Sequence, residues 1–241
     1  MPARPPRRTR RPSPPRSPRH ADPAKPGTPT RRQGWARSRR RTSARRSPGR
    51  GADVCFLGDS LVEFWGKTGR DAWLLDFHDL GALNAGIAAD RIEHVRYRAE
   101  RLKFAAPGPR AFVILAGTNN LAKEPPDDPA EVAAAVAGLA ARLRERFPEA
   151  KVAILSILPS GYDPAGALRD RIAQANAALE KACAAREGID FLEVGSRFLD
   201  GGGRWKAGLT ADGTHLSYQG YGKLGPPVRA WIDAALGQAS P

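Results

Sequence analysis

VCFLGDSLVEFW, residues 54–65, changes character twice within a dozen positions. Val54 to Leu57 form an apolar run of the kind found in strands covered on both faces. The run stops at Gly58-Asp59-Ser60, and a second apolar patch begins at once with Leu61 and Val62. Two readings fit a hydroxyl at such a break. Ser60 caps the helix that follows, as serine does readily, or it is a nucleophile held at the edge of a sheet.

Outward from this stretch the chain alternates between two periods. Short apolar runs occur at 53–57, 82–85, 111–116, 151–158 and 189–194. Between them lie segments with helical spacing: Ile92, Val95, Ala99 and Leu102 mark one face, and Leu168, Ile172, Ala175, Leu179 and Ala182 another. A third, on Val132, Val136, Leu139 and Leu143, is opened by Asp128-Pro129 and closed by Phe147-Pro148. A last helix is expected over 217–237, interrupted or kinked at Pro226-Pro227. Strands alternating with helices mean βαβ units. The expected fold is therefore α/β: a three-layer αβα sandwich around a five-stranded parallel sheet, flavodoxin-like. In such sheets ligands bind beyond the carboxyl ends of the strands, where strand order reverses, so functional residues should follow the apolar runs.

Polar and glycine clusters do follow them. They are Gly58-Asp59-Ser60-Leu61, Asn84-Ala85-Gly86 and Gly117-Thr118-Asn119-Asn120, joined by Asp212-Gly213-Thr214-His215-Leu216-Ser217 beyond the fifth run and just before the last helix. Each alone has a structural explanation, as a cap, a positive-φ glycine, a turn or a surface histidine. Together they hold what chemistry at an ester carbonyl requires: a nucleophile, a base, a group to orient the base, and donors for the oxyanion. Asp59 reads as support for the turn. His78 and His94 compete as bases, but neither has an acid motif like Asp212-x-x-His215.

FLGDSLVEFW, LNAGI, LAGTNN and DGTHLS resemble, in order, the four sequence blocks of the GDSL, or SGNH, hydrolase superfamily. SILPSG and YQGYGKL make the chain similar to the branch containing the catalytic α subunits of intracellular platelet-activating-factor acetylhydrolase. The similarity spans residues 52–236. It implies Ser60 as nucleophile, His215 as base and Asp212 as the group that orients it. The oxyanion hole it implies consists of the backbone N–H groups of Ser60 and Gly86 with the Asn119 side-chain amide. A serine esterase follows, acting on short acyl esters, acetyl above all, through an acyl-enzyme and without metal or organic cofactor. A homodimer is the family-level expectation. Leu61 and Thr118, beside the nucleophile and the asparagine, are candidates for the walls of a shallow acyl pocket. One departure stands out: relatives often carry Gly-Gly after the second-block GI, whereas this chain has Ala88-Ala89.

The chain's net charge of +14 resides in residues 1–50, which carry sixteen Arg, one Lys and a single acid, Asp22. Eleven of the 22 prolines lie there too, and Trp35 is the one large apolar residue besides Met1. Such a segment cannot bury enough surface to offset chain entropy and reads as a disordered extension preceding a hydrolase domain at 51–241. Clustered arginine suits contact with polyanions. A transit peptide is the alternative to a cytoplasmic location, and no stretch approaches the length of a membrane span. Two cysteines, Cys55 and Cys183, read as small buried hydrophobes in a reducing compartment. The G-x-S-x-G elbow of ordinary α/β-hydrolases is missing, as is a phosphate-cradling loop. Acyl transfer to an acceptor other than water would use the same residues. A catalytically idle scaffold, with its Arg-rich tail on nucleic acid or anionic lipid, is the reading from another class.

Overall fold

A computed structural model describes residues 52–237 of the 241-residue chain. The elements in order are β1 (Val54–Gly58), α1 (Ser60–Trp65), α2 (Arg70–Phe77), β2 (Leu83–Gly86), α3 (Ile92–Ala99), β3 (Ala111–Leu115) and α4 (Thr118–Ala122). They continue with α5 (Pro129–Arg146), β4 (Lys151–Leu155), α6 (Ala167–Ala184), β5 (Ile189–Leu192), a 3-10 turn (Gly195–Phe198) and α7 (Tyr218–Leu236). The reading of residues 1–50 as an extension lies outside the described residues.

All five strands pair in parallel, in the order β2-β1-β3-β4-β5. The chain runs outward from β1 to β2, then crosses back to place β3 on the other side of β1. The switch point therefore falls between β1 and β3, the strands that precede Ser60 and Asn119. Side chains of successive residues alternate between the two faces. Cys55, Leu57, Phe112, Ile114, Val152 and Ile154 pack under α3, α5 and α6, in an aliphatic layer built on Val95, Val136 and Leu179. Val54, Phe56, Val113 and Leu115 face the opposite way, under α1, α2 and α7. That layer is aromatic. The Phe56 ring lies 4.8–5.7 Å from the rings of Trp65, Trp73 and Phe77, mostly edge to face, the geometry aromatic quadrupoles favour. These layers hold the three-layer αβα sandwich together and fix the carboxyl ends of the strands as one rigid edge.

Two elements differ from the sequence reading. Helix α2 falls in a segment read as a connection, because Leu74 and Leu75 are exposed and blur the stripe made by Trp73 and Phe77. Helix α7 runs unbroken through Pro226 and Pro227. The prolines take the N–H groups from the carbonyls of Gly222 and Lys223, and both of those residues face solvent, where water can satisfy them. Among the described residues no helix is long and apolar enough to cross a membrane. Cys55 and Cys183 are free and buried, and burial pushes the Cys55 thiol up to about 12, where it is an inert packing group.

Candidate active site

The turn after β1 decides what caps α1. Asp59 occupies the N-cap and its Oδ1 accepts the Leu61 N–H at 2.9 Å. Ser60 is the first residue of the helix and has no capping role. Its Oγ lies instead 3.0 Å from His215 Nε2, across 155 residues of sequence. Asp59 is buried and its Oδ2 finds no partner among the described residues. Burial pushes its carboxyl up to about 7, against the Leu61 hydrogen bond and the nearby His215, which pull it down.

His215 stands in a loop with its own internal bracing. Thr210 Oγ1 accepts the Gly213 N–H and donates to the His215 carbonyl, each at 2.9 Å, and an antiparallel bridge joins Thr210 to Leu216. Gly213 sits at φ +83, a left-handed conformation that suits glycine. From the segment after β4, Gly161 N–H donates to the Gly213 carbonyl at 2.8 Å and the Ser160 and Thr214 hydroxyls meet at 2.6 Å. Asp212 Oδ2 lies 2.7 Å from His215 Nδ1, while its Oδ1 accepts the backbone N–H groups of Thr214 and His215 at 2.9 and 2.7 Å. Burial alone would raise the Asp212 carboxyl, but these hydrogen bonds outweigh it and hold the group below its ordinary value. An ionised carboxylate can only accept, so Nδ1 carries the proton, which in a neutral imidazole leaves Nε2 as the acceptor facing Ser60. The Phe64 ring, 5.2 Å from the imidazole, backs it from α1.

The oxyanion side of the site departs from expectation at one residue. Asn119 Nδ2 donates to the Asp90 carbonyl at 2.9 Å, and its second hydrogen has no acceptor among the described residues. The Gly86 N–H, expected to point at an oxyanion, is taken by Asn84 Oδ1 at 3.0 Å. Gly86 is needed for packing: a Cβ there would lie 2.3 Å from Glu63 N, because α1 rests directly on β2. The turn that follows offers another donor. Ile87 N–H goes to Gly58 O, Ala88 N–H to Glu63 Oε2, and Asp90 N–H to Ile87 O. Ala89 N–H alone of these four has no acceptor among the described residues, and Ala89 stands at φ +65, unusual for a residue with a Cβ. The sequence signal for it was the departure from Gly-Gly at 88–89.

Leu61 and Thr118 are both buried; Leu61 packs in the aromatic layer and Thr118 Oγ1 lacks a partner among the described residues. Asn120, next to Asn119, is structural: its Oδ1 accepts Ile92 N–H and its Nδ2 donates to Asp127. His78 ends α2 on the surface, and His94 Nδ1 accepts the Arg91 N–H, so neither approaches Ser60 in a bonding role. A cleft of about 400 Å³ beside Asn120 is lined by Arg91, Arg96 and Lys123 against Glu93, Asp127 and Glu131, and contains none of the residues around Ser60. Among the described residues no cluster of His, Cys, Asp and Glu is arranged to hold a metal ion.

Comparison with known proteins identifies the family. The family described as GDSL-like Lipase/Acylhydrolase matches residues 56–223, from β1 into α7. The chain is 29% identical over 180 residues to platelet-activating factor acetylhydrolase IB subunit alpha2 of Rattus norvegicus, covering 75% of this chain and 76% of that one. To the alpha1 subunit of Homo sapiens it is 31% identical over 169 residues, 70% of each. A GDSL-like lipase from Bacteroides thetaiotaomicron shares the fold with a TM-score of 0.64 at 23% identity, over 76% of this chain and 88% of that one. With the motifs in order on a parallel αβα sandwich, and the family matched over most of the chain, this protein belongs to the GDSL-like lipase/acylhydrolase family and is a carboxylic ester hydrolase.

Proposed function

We propose that the protein hydrolyses short-chain acyl esters, acetyl esters foremost, through an acyl-enzyme on Ser60. The observation that carries this reading is the continuous relay from Asp212 Oδ2 to His215 Nδ1 at 2.7 Å and from His215 Nε2 to Ser60 Oγ at 3.0 Å. Ser60 Oγ attacks the ester carbonyl as its proton passes to His215 Nε2, and Asp212 stabilises the imidazolium that forms. We assign three donors to the resulting oxyanion: the N–H of Ser60, which as the first helical residue has no intrahelical acceptor, the second hydrogen of Asn119 Nδ2, and the Ala89 N–H. The tetrahedral adduct collapses, the carbon–oxygen bond to the alcohol breaks, and His215 returns its proton to the departing alkoxide. Water, deprotonated by His215, then attacks the acyl-enzyme; the acid leaves and Ser60 regains its proton.

The acetyl preference draws on the acetylhydrolase relatives and on the acyl-side surroundings. Leu61 and Thr118, next in sequence to Ser60 and Asn119, are both buried, and this reading assigns them to the walls of a shallow acyl pocket. Hydrolysis of p-nitrophenyl esters from acetate to long acyl chains tests both parts, with Ser60→Ala as the control. Turnover should be highest for acetate, fall with chain length and disappear in the variant. Activity retained by Ser60→Ala would overturn the nucleophile, and a preference for long chains would overturn the pocket.

A further inference from the structure

Helix α3 was expected to bury an apolar stripe, yet its inward face also carries an arginine. The Arg98 side chain is 9% exposed. A buried guanidinium is costly unless its donors are matched, and here they are. Arg98 Nε donates to Asp90 Oδ2 at 2.7 Å, one terminal nitrogen to the Ala85 carbonyl at 2.6 Å, and the other to the Gly58 carbonyl at 3.1 Å. One planar fork thus grips three segments: the end of β1 two residues before Ser60, the end of β2, and the turn at 87–90. Asp90 passes the constraint on, because its own carbonyl receives Asn119 Nδ2. The same turn carries Ala89 between two residues whose N–H groups are already tied down.

We infer that Arg98 is a positioning residue for the reaction: with Asp90 it sets the 87–90 turn against the end of β1, and so fixes Asn119 and the Ala89 N–H relative to Ser60. This rests on the reading of those groups as oxyanion donors. Replacing a buried ion pair with apolar residues seldom costs net stability, so stability alone is a poor reason for a charge here. A rigid fork that reaches three acceptors at once does what the point charge of a lysine cannot.

The test compares Arg98→Lys and Asp90→Asn, in the full chain, with wild type, Ser60→Ala and Asn119→Ala on p-nitrophenyl acetate, alongside thermal melting. Asp90→Asn keeps both the shape of the side chain and the carbonyl that Asn119 uses, and it decides the matter should Arg98→Lys fold poorly. Loss of alignment should lower kcat by roughly tenfold to a hundredfold, with KM little changed. In an Asn119→Ala background the same substitution should cost less than it does in wild type, because part of its effect runs through Asn119. A folded variant with wild-type kcat, or losses that simply multiply in the double variant, would overturn the positioning role. If Ser60→Ala itself stays active, the underlying reading fails instead; if Ser60→Ala is dead while Arg98→Lys and Asp90→Asn turn over normally, this inference alone fails.

Discussion

Two carboxylates near Ser60 are paired, Asp212 with His215 and Asp90 with Arg98, and the two pairs are built in opposite ways. The Asp212 and His215 side chains are 54% and 31% exposed, in a loop braced by Thr210 and by the segment after β4. Those of Asp90 and Arg98 are 15% and 9% exposed, between a helix and the ends of two strands. The difference follows from what each pair does. Proton transfer needs a group that can change its charge and reach solvent, which imidazole can. Holding geometry needs a group whose charge never changes, which is the guanidinium. One side of the site moves protons while the other stays still.

The sharpest way to break this contrast is to make the same substitution on both sides. Asp212→Asn offers an amide N–H where a carboxylate accepted, which favours the wrong imidazole tautomer, so kcat should fall by about 10³ to 10⁴. Asp90→Asn leaves the tautomer alone and should cost far less. Equal effects in steady-state kinetics would erase the distinction between the two pairs. Next in size is Asn119→Ala, which removes one oxyanion donor. A loss of about 2.7–4 kcal/mol of transition-state stabilisation is expected, read as a fall in kcat of roughly a hundredfold or more. Near-normal turnover would remove Asn119 from the site.

Gly86 sharpens the comparison from the structural side. With its N–H bonded to Asn84 and no space for a Cβ against Glu63 N, Gly86→Ala should act on stability first. Overpacking of this kind costs about 1–3 kcal/mol or more, measured by denaturant unfolding. A variant as stable as wild type with lost activity would restore Gly86 to the oxyanion hole.

The smallest effect concerns pH. Asp59 and Asp212 lie on either side of Ser60 with carboxyls shifted in opposite directions. For Asp59, raised to about 7 by burial, the folded chain holds a proton that the unfolded chain has released. Its stabilising contribution is present below the ordinary carboxylate range and is lost as pH rises through about 7. Asp212, held low, behaves in reverse: its contribution is present above the ordinary range and is lost as pH falls through its depressed value. Asp59→Asn keeps an oxygen to accept the Leu61 N–H while removing the titration. It should melt above wild type at pH 8, with the gap closing by pH 4; a constant gap across that range would mean that Asp59 does not titrate there.

How much of this was legible in the sequence depends on the range over which each feature is determined. The five strands, the three long helices and the stripe of α3 announce themselves by period, since Val54 to Leu57 and the stripe from Val132 to Leu143 bury what their spacing says they bury. Ser60 and Asn119 were visible because each follows an apolar run, and His215 because Asp212 stands three residues before it, just ahead of the last helix. The hydrogen bonding of the turn at 87–90 was not legible, because which of its four consecutive N–H groups stays free depends on partners as distant as Gly58 and Glu63. Arg98 was hidden for a related reason. A charge on a short helix reads as a solvated face, and only the fold brings the carbonyls of Gly58 and Ala85 to it. Helix α2 escaped because exposed Leu74 and Leu75 mask its buried stripe.

The most direct test of the central claim is rapid quenching of the enzyme with p-nitrophenyl acetate, followed by peptide mass mapping. The account predicts one acetyl group on the peptide containing Ser60, formed in the burst and lost with turnover. Acetyl release continuing with that peptide never modified, or with the label on another residue, would contradict it.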